Sequence, residues 1–404
     1  MSELLAIGLT GPLGAGRTAA AEHLSRKHGV ATITLSSLLR DDPDEKVDTE
    51  ELQRRGDQLR ADEGEAALAA MALDAAQKEP RAGMVVFDGL KHPAEARYLA
   101  ANADFYLVAV LARSETRWGR CSRAFRHDRT QFDAVDRRDS RETDRWGIAV
   151  DHGQRVADCI GLAHAIVWND SPFLPGGTAP RNRGTLGEFR EKIDALYRVL
   201  AQAETRPPTV MELRMSQAYA ASLCSSCLKR KVGAVITNPD GRIISEGYNE
   251  VPTGQPTCLE LNGRCYREMV REQDHEALVS AFRCGECGGD IDETLTCTQC
   301  GWQYGATPPK RPNLDYCRAL HAEERAVLHA SRYGGVGIEG GILYTTTFPC
   351  ALCAKKIVDC GLSQVVFGEP YHMREAEELL RDADLEVQQF EGFTHRAFNR
   401  VFQR

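Results

Sequence analysis

Apolar positions in the first part of the chain fall into short runs, separated by stretches with helical spacing. Leu4–Leu9, Met84–Phe87, Tyr106–Leu111 and Ala165–Trp168 are apolar runs of strand length, and Arg17–Lys27 has the pattern of a helix. Strands that alternate with helices are typical of a parallel sheet covered by helices. The pattern therefore predicts an α/β fold with a parallel sheet for this part of the chain.

The second part also mixes the two kinds of element. Strand-like runs occur at Val232–Thr237, Ile342–Thr346 and Gln364–Phe367, and helical spacing occurs at Leu320–Ser331 and Cys350–Cys360. Helices interleaved with strands again favour an α/β arrangement, with helices packed on a sheet. We therefore expect a second α/β domain here.

Two stretches rich in proline and glycine divide the chain, at Ser171–Gly177 and at Thr205–Thr209. Such stretches are typical of connections between domains. Between them, Gly187–Glu204 carries apolar residues at helical spacing and predicts a connecting helix. The chain is thus predicted to divide into a first domain at residues 1–172, a linker with a helix at 173–208, and a second domain at 209–404.

Composition restricts the function classes. The 404 residues carry a net charge of −8, which argues against broad electrostatic binding to a nucleic-acid backbone. No apolar run approaches the roughly 20 residues that span a bilayer, and no basic leader precedes the first apolar run, so we expect a cytoplasmic protein without membrane contact. Eight of the 14 cysteines form C-x-x-C pairs, which favours metal binding in a reducing compartment over disulfides.

His321 and Glu323 form an H-x-E pattern, and Cys350 and Cys353 form a P-C-x-x-C pattern after Pro349. One histidine and two cysteines are three zinc ligands, which leaves the fourth tetrahedral position open for water, as in catalytic zinc sites. The combined pattern is typical of zinc-dependent nucleobase deaminases. We expect the activated water to attack C4 of a cytosine ring while Glu323 moves protons to N3 and to the leaving amine. The alternatives are a structural zinc site and a chance match.

A second metal site is predicted within an insertion at about residues 280–304. Two C-x-x-C-G motifs, whose nearest cysteines are separated by nine residues, supply four thiolates: Cys284, Cys287, Cys297 and Cys300. Four thiolates form a closed tetrahedral site, so this pattern predicts structural zinc, with an iron–sulfur site as the alternative. Cys258, Cys265 and Cys317 form no clear four-ligand set with any other residue, and we interpret them as buried or free thiols.

A glycine-rich loop follows the first predicted strand and opens the first predicted helix. Its pattern is G-x-x-x-x-G-R-T, a phosphate-binding loop in which arginine replaces the usual lysine. The candidate nucleotide-binding residues are Gly11, Gly14, Ala15, Gly16, Arg17, Thr18 and, at the end of a later strand, Asp88. We expect Thr18, and Asp88 through water, to hold Mg²⁺ with a bound nucleoside triphosphate. Arg113, Arg117, Arg120 and Arg123 recur at helical spacing, either as a lid over the phosphates or as a solvated face.

The second domain resembles deoxycytidylate deaminases, a resemblance that covers roughly residues 209–404. It is carried by Gly233–Ile236, Gly247–Gly254, the HAEERA segment and the TTFPCALC segment, in that order. The resemblance implies a cytidine-deaminase-like three-layer α/β/α domain, a contact of Asn249 with the sugar, and a base pocket lined by Val232, Gly233 and Ala234. Cys224 stands where family members usually carry an arginine, so we expect phosphate recognition to differ. The basic run Lys229–Lys231 either compensates for the missing arginine or forms a solvated face.

A phosphate-loop domain with a kinase-like fold fused to such a deaminase resembles the bacterial anti-phage dCTP/dCMP deaminases. The resemblance implies conversion of dCTP, dCMP or both to deoxyuridine nucleotides, which depletes a DNA precursor during infection. It also implies a regulatory NTP or dNTP at the first domain, a homo-oligomer, and an unidentified inhibitor or activator. The alternatives are a bifunctional nucleotide kinase–deaminase, a nucleic-acid-editing cytidine deaminase, and a nucleotide sensor with an inactive deaminase site.

Overall fold

The computed structural model describes residues 4–40, 42, 45, 47–78, 83–140, 153–170, 186–270, 273, 283–290, 292, 296–302, 317–333, 337–369 and 374–403. These residues form two compact units. The first unit contains Met1–Gln217 and Ser363–Arg404, and the second contains Ala218–Leu362. No helix in the described ranges combines the length and the apolar character needed to span a bilayer.

The two kinds of element follow each other along most of the chain. The strands are β1 (Leu5–Thr10), β2 (Ala31–Thr34), β3 (Met84–Asp88), β4 (Asp104–Leu111), β5 (Ala165–Trp168), β6 (Gly233–Thr237), β7 (Ile243–Tyr248), β8 (Ile342–Thr347), β9 (Gln364–Glu369), β10 (Glu386–Gln389) and β11 (Gly392–Phe393). The helices are α1 (Arg17–His28), α2 (Thr49–Glu63), α3 (Ala67–Lys78), α4 (Pro93–Asn102), α5 (Ser114–Cys121), α6 (Arg129–Ser140), α7 (Val156–Ile160), α8 (Leu186–Leu200), α9 (Val210–Ser222), α10 (Cys258–Asn262), α11 (Ala322–Tyr333), α12 (Ala351–Asp359), α13 (Arg374–Asp382) and α14 (His395–Phe402).

The first unit is built on a six-stranded sheet of order β11-β5-β4-β1-β3-β2. All neighbouring strands pair in parallel except β11, which pairs antiparallel with β5. Alternate residues along a strand point to opposite faces of a sheet. Accordingly Ile7 and Leu9 of β1 belong to one buried cluster with helices α1 and α8, whereas Ala6 belongs to another with α3 and α4. The predicted parallel sheet with covering helices is confirmed.

The C-terminal segment of the chain packs into this first unit. Phe393, Ala397 and Val401 are buried in the same cluster as α1 and α8. Glu212 accepts a hydrogen bond from the Phe393 backbone N–H at 3.0 Å and a bidentate pair from Arg206. The compact units therefore differ in extent from the predicted domains, whose boundaries stay predictions; the boundary at 172–173 lies outside the described residues.

In the second unit, β6 lies between β7 and β8 and pairs antiparallel with both. Two glycines allow helices to lie close to this sheet. A Cβ atom at Gly247 would stand 2.2 Å from the carbonyl oxygen of Ala322, and one at Gly233 would stand 1.9 Å from that of Ala218. Since real Cβ atoms do not come so close to backbone, side chains at these positions would push the helices away. Gly247 thus fixes the distance of α11 from the sheet.

Candidate functional site

His321, Cys350 and Cys353 come together in the second unit. His321 directly precedes α11, Cys350 is the N-cap residue of α12, and Cys353 lies in the first turn of that helix. The Nδ1 atom of His321 is 3.2 Å from the Cys350 Sγ and 3.4 Å from the Cys353 Sγ. All three ligand atoms lie within 4.8 Å of one another. The turn between β8 and α12 and the start of α11 therefore bring the predicted ligand set to one point.

The spacing of these atoms fits a zinc ion. Ligands at about 2.0–2.3 Å from a tetrahedral ion lie about 3.3–3.8 Å from one another. The distances from His321 Nδ1 to the two sulfurs are 3.2 Å, just below that range, and 3.4 Å, within it. The set contains one nitrogen and two sulfurs, which are donors that zinc prefers. Three protein ligands leave one position for another molecule.

The electrostatics of the cluster favour the ligand form of Cys350, whereas its hydrogen bond to Cys353 and burial raise the pKa of the Cys353 thiol. The hydrogen bond with Cys353, followed by the contact with His321, lowers the pKa of Cys350 to about 4. Cys350 in turn raises the pKa of His321. A thiolate at the start of a helix also faces the partial positive charge of that end. At neutral pH, Cys350 is therefore a thiolate, which is the form that binds metal.

Glu323 lies beside the ligand set. It sits in the first turn of α11, and it is only 4% exposed to solvent. Its Oε2 atom is 3.6 Å from the Cys353 Sγ. Burial raises the pKa of Glu323, so its carboxyl group can hold a proton more readily than a solvated glutamate. A buried carboxyl beside an open ligand position is suited to moving protons.

Thr345, a residue that the sequence reasoning missed, contacts this carboxyl group. Its Oγ1 lies 3.4 Å from Glu323 Oε1 and 3.0 Å from the carbonyl oxygen of Thr347. The neighbouring Thr346 accepts a hydrogen bond from the Gly233 N–H at 3.1 Å. The sequence feature that could have indicated Thr345 is a run of three consecutive threonines directly before Phe348 and Pro349. Polar residues in a fully buried strand point to a site rather than to a core.

Asn249 organises the segment before β6. Its Oδ1 accepts a hydrogen bond from the Val232 N–H at 2.7 Å, and its Nδ2 donates to the Arg230 carbonyl at 2.8 Å. Its own carbonyl accepts from Ser225 Oγ at 2.6 Å. Gly233 and Ala234 are fully buried in β6. The sugar contact of Asn249 and the base pocket at 232–234 stay predictions; the observed bonds show that Asn249 shapes the segment that would line that pocket.

The basic run and the cysteine before β6 have different surroundings. Lys229 forms an ion pair with Glu268, and Lys231 Nζ donates to the Leu223 carbonyl at 3.3 Å. Cys224 is exposed. Two of the three basic residues at 229–231 are thus occupied by protein partners, and their compensating role stays a prediction.

The four cysteines of the insertion also converge. Sulfur–sulfur distances of 3.5 Å (Cys284–Cys300), 3.4 Å (Cys287–Cys297) and 3.5 Å (Cys287–Cys300) fit the same tetrahedral geometry. Backbone N–H groups aim at the sulfurs: Cys300 N–H, followed by Gln299 N–H, lowers the pKa of Cys297 to about 6. Gly288 and Gly301 adopt φ near +73°, which a glycine takes without strain.

Within the part of the chain that the structure describes, these two sets alone bring three or more metal-binding side chains within ligand distance. Cys258, Cys265 and Cys317 are half-buried and belong to neither set. Burial raises the pKa of the Cys317 thiol, which keeps it protonated. Their interpretation as thiols without a metal stays a prediction.

The glycine-rich loop lies between β1 and α1 in the first unit, as its motif predicts. Gly11, Gly14 and Gly16 all have positive φ, and a Cβ at Gly11 would lie 2.0 Å from the Val110 carbonyl oxygen. Thr18 Oγ1 donates to Asp88 Oδ2 at 2.9 Å. The Nη1 atom of Arg17 is buried and meets no hydrogen-bond acceptor among the described residues. The loop therefore offers backbone N–H groups at a helix start together with an unused cationic donor, as an anion site requires.

The arginines of α5 anchor the loop, a role that neither of the two sequence interpretations anticipated. Arg117 is 2% exposed, donates to the Leu13 carbonyl at 3.1 Å and forms a bidentate pair with Asp136. Arg120 donates to the carbonyls of Gly14 and Ala15. Both side chains donate to backbone carbonyl oxygens of the loop and so fix its position. Asn169, at the end of β5, adds a 2.8 Å bond to the Ala15 carbonyl.

Comparison with known proteins agrees with both sites. The family model described as the cytidine and deoxycytidylate deaminase zinc-binding region matches residues 209–369, and one described as an AAA domain matches residues 7–144. The deoxycytidylate deaminase of Enterobacteria phage T4 is 32% identical over 174 residues, which cover 42% of this chain and 84% of the phage protein. This chain belongs to the deoxycytidylate deaminase family.

Membership of this family supports zinc as the metal of the second unit, and similarity to relatives extends beyond that unit. The matched zinc-binding region contains His321, Cys350 and Cys353, so the family and the ligand geometry together support zinc. The deoxycytidylate deaminase of Schizosaccharomyces pombe (strain 972) is 28% identical over 389 residues, 95% of this chain and 97% of the yeast protein. A crystal structure of dCMP deaminase from the cyanophage S-TIM5 with dCMP and dUMP has 23% identity, a TM-score of 0.30, and coverage of 46% of this chain and 99% of the phage chain.

Proposed function

We propose that the chain hydrolyses the exocyclic amine of deoxycytidine nucleotides, dCMP, dCTP or both, to give deoxyuridine nucleotides and ammonia. The observation that carries the proposal is the buried Glu323 carboxyl group beside the three converged zinc ligands. The names of the phage T4 and yeast relatives, both deoxycytidylate deaminases, support the choice of a deoxycytidine nucleotide as the substrate.

His321, Cys350 and Cys353 would hold zinc, which supplies a Lewis acid that makes water a nucleophile at neutral pH. Glu323 takes a proton from the attacking water and delivers it to N3 of the pyrimidine. A second proton passes through the same carboxyl group to the amine at C4, which leaves as ammonia. Thr345 holds Glu323 Oε1 and keeps the carboxyl group aimed at the site while its protonation changes.

We further propose that the glycine-rich loop binds an NTP or dNTP, with Mg²⁺ at Thr18 and Asp88, and that this nucleotide regulates the deaminase. The 2.9 Å contact between Thr18 and Asp88 supports the metal position. The same contact favours a second candidate, a nucleotide kinase joined to the deaminase. Arg17 favours regulation over transfer, because the usual lysine of this motif contacts the transferred phosphoryl group. The resemblance of the two-part layout supports a cytoplasmic homo-oligomer that depletes a DNA precursor in phage defence.

The zinc-loaded protein should be incubated with dCMP, dCTP, CMP, CTP and single-stranded DNA, each with and without ATP or dTTP, and the products resolved by chromatography. We expect deoxyuridine nucleotides from the deoxycytidine nucleotides, at a rate that ATP or dTTP changes. Formation of ADP would support the kinase candidate. Uracil found solely in the polymer would contradict the proposal and support nucleic-acid editing.

A further inference from the structure

A network of buried polar side chains lies in the first unit, and its proposed role rests on the nucleotide binding proposed for the phosphate loop. Gln53 of α2 and Gln154 are each 2% exposed, and Asp139 of α6 is 1% exposed. Lys91 connects them: its Nζ lies 2.7 Å from Asp139 Oδ1 and donates to Gln154 Oε1 at 3.3 Å. Polar groups buried to this extent normally have all their hydrogen bonds satisfied.

Two acceptors in this network have no donor among the described residues. They are Gln53 Oε1 and Asp139 Oδ2. The remaining bond of the Gln53 amide, from its Nε2 to Gln154 Oε1, is long at 3.4 Å. A buried acceptor without a donor costs about 1–3 kcal/mol, so a missing partner that donates hydrogen bonds would account for both.

The charges in the network fix which way the Gln53 amide faces. Asp139 holds the Lys91 ammonium group, and an ammonium group can face only the oxygen of the Gln154 amide. That oxygen can in turn accept only from the Nε2 group of Gln53. If the Gln53 amide were flipped, its oxygen would face the Gln154 oxygen, and neither atom could donate a hydrogen bond. The Gln53 carbonyl is therefore held away from Gln154, where it meets no donor among the described residues, with its amide N–H beside it.

The position of the network identifies the kind of partner. Lys91 follows Asp88, the residue that accepts from Thr18 of the phosphate loop, by three positions. On the other side, Asp136 and Asp139 lie one turn apart on α6, and Asp136 pairs with the Arg117 that holds the loop. The network is thus linked on both sides to residues that form or hold the phosphate loop, so the partner to consider is a nucleotide with its phosphate at that loop.

From this geometry we propose that the first unit contains a base-binding site at Gln53 for a nucleotide with an amino group next to a ring nitrogen, as in adenine or cytosine. A fixed amide carbonyl accepts from the amino group, and its neighbouring N–H donates to the ring nitrogen. A base with a carbonyl group in place of the amine, as in hypoxanthine or uracil, presents the reverse pattern and is disfavoured. The site is independent of the deaminase chemistry, because all its residues lie in the first unit.

The test is calorimetric titration of the full-length protein with dAMP and with dIMP, which differ in the amine alone. Because the phosphate contributes equally to both, we expect dAMP to bind about five- to a hundredfold tighter. Gln53→Leu should weaken dAMP binding to the level of dIMP. Lys91→Met should retain binding of dAMP while dIMP binding improves, because the Gln53 amide is then free to flip.

Gln58→Leu is the matched control, since Gln58 lies on the same helix, is exposed and bonds to Asp62. It should bind both nucleotides like the wild type. Parallel titrations with dCMP and dUMP, made in the Glu323→Ala background so that dCMP is not consumed, identify the pyrimidine source. One more dCMP per chain with Gln53 present than with Gln53→Leu assigns cytosine to the site. Equal affinity of the wild type for dAMP and dIMP would overturn the base site alone. Absence of binding of either nucleotide would overturn the base site and also count against nucleotide binding at the phosphate loop, and neither result concerns the deaminase. The comparison of dAMP with dIMP uses the wild-type protein, so it does not depend on whether any variant folds.

Discussion

Glu323→Ala should lower the rate of ammonia release from deoxycytidine nucleotides by about 10²–10⁴-fold, the usual contribution of a positioned proton-transfer group. The zinc content should stay near that of the wild type, since Glu323 is not one of the three converged ligands. Steady-state ammonia assays and elemental analysis on the same preparation measure both quantities. Glu323→Gln, which keeps the size of the side chain and removes its acid–base function, should be nearly as slow.

Glu324→Gln provides the matched control. Glu324 is the next residue of the same helix and pairs with Lys356 at a partly exposed position, a kind of ion pair that contributes little to stability. We expect wild-type turnover from it. Loss of turnover equal to that of Glu323→Ala would mean that the start of α11, rather than one carboxyl group, is what matters. If the protein has the proposed role in phage defence, Glu323→Ala should abolish protection of cells challenged with phage, and Glu324→Gln should retain it.

Replacing both Cys284 and Cys287 by serine should lower the zinc content from two ions per chain to one and reduce the thermal stability of the second unit. Structural zinc held by four thiolates contributes on the order of 10 kcal/mol to folding of the segment that binds it. Turnover per zinc-loaded, folded molecule should change much less than stability, because this closed site leaves no position for substrate.

The measurements are elemental analysis, thermal unfolding and turnover normalised to folded protein. Cys360→Ser is the control, since Cys360 is half-buried and lies outside both metal sets. It should keep both ions. A double variant with two zinc ions and wild-type stability would contradict a structural role for the four cysteines.

Much of the framework was predictable because local patterns specify it. The predicted strands Leu4–Leu9 and Met84–Phe87 match β1 and β3 within one residue, and the predicted helix Arg17–Lys27 matches α1 in the same way. When an apolar run ends at a glycine or an aspartate, the end of the strand can be predicted from the sequence. Residues within one motif, such as Cys350 and Cys353, also converge by local geometry, because they share a single helix start.

Contacts between distant segments were not predictable from spacing. The pairing of β11 with β5, and the burial of Phe393 and Val401 against α1, join the end of the chain to the first unit. A two-residue strand carries too little pattern to be read from sequence. The same holds for Arg117: its spacing suggested a lid or a solvated face, whereas its burial follows from Asp136, which lies in another helix.

The most direct test of the central claim is to run the dCMP and dCTP reactions in ¹⁸O-labelled water with zinc-loaded protein. Hydrolytic deamination predicts one ¹⁸O atom in each deoxyuridine nucleotide and one ammonia per product molecule, both measured by mass spectrometry and ammonia assay. Folded, zinc-loaded protein that releases no ammonia from either nucleotide, or a product without the label at the pyrimidine ring, would contradict the account.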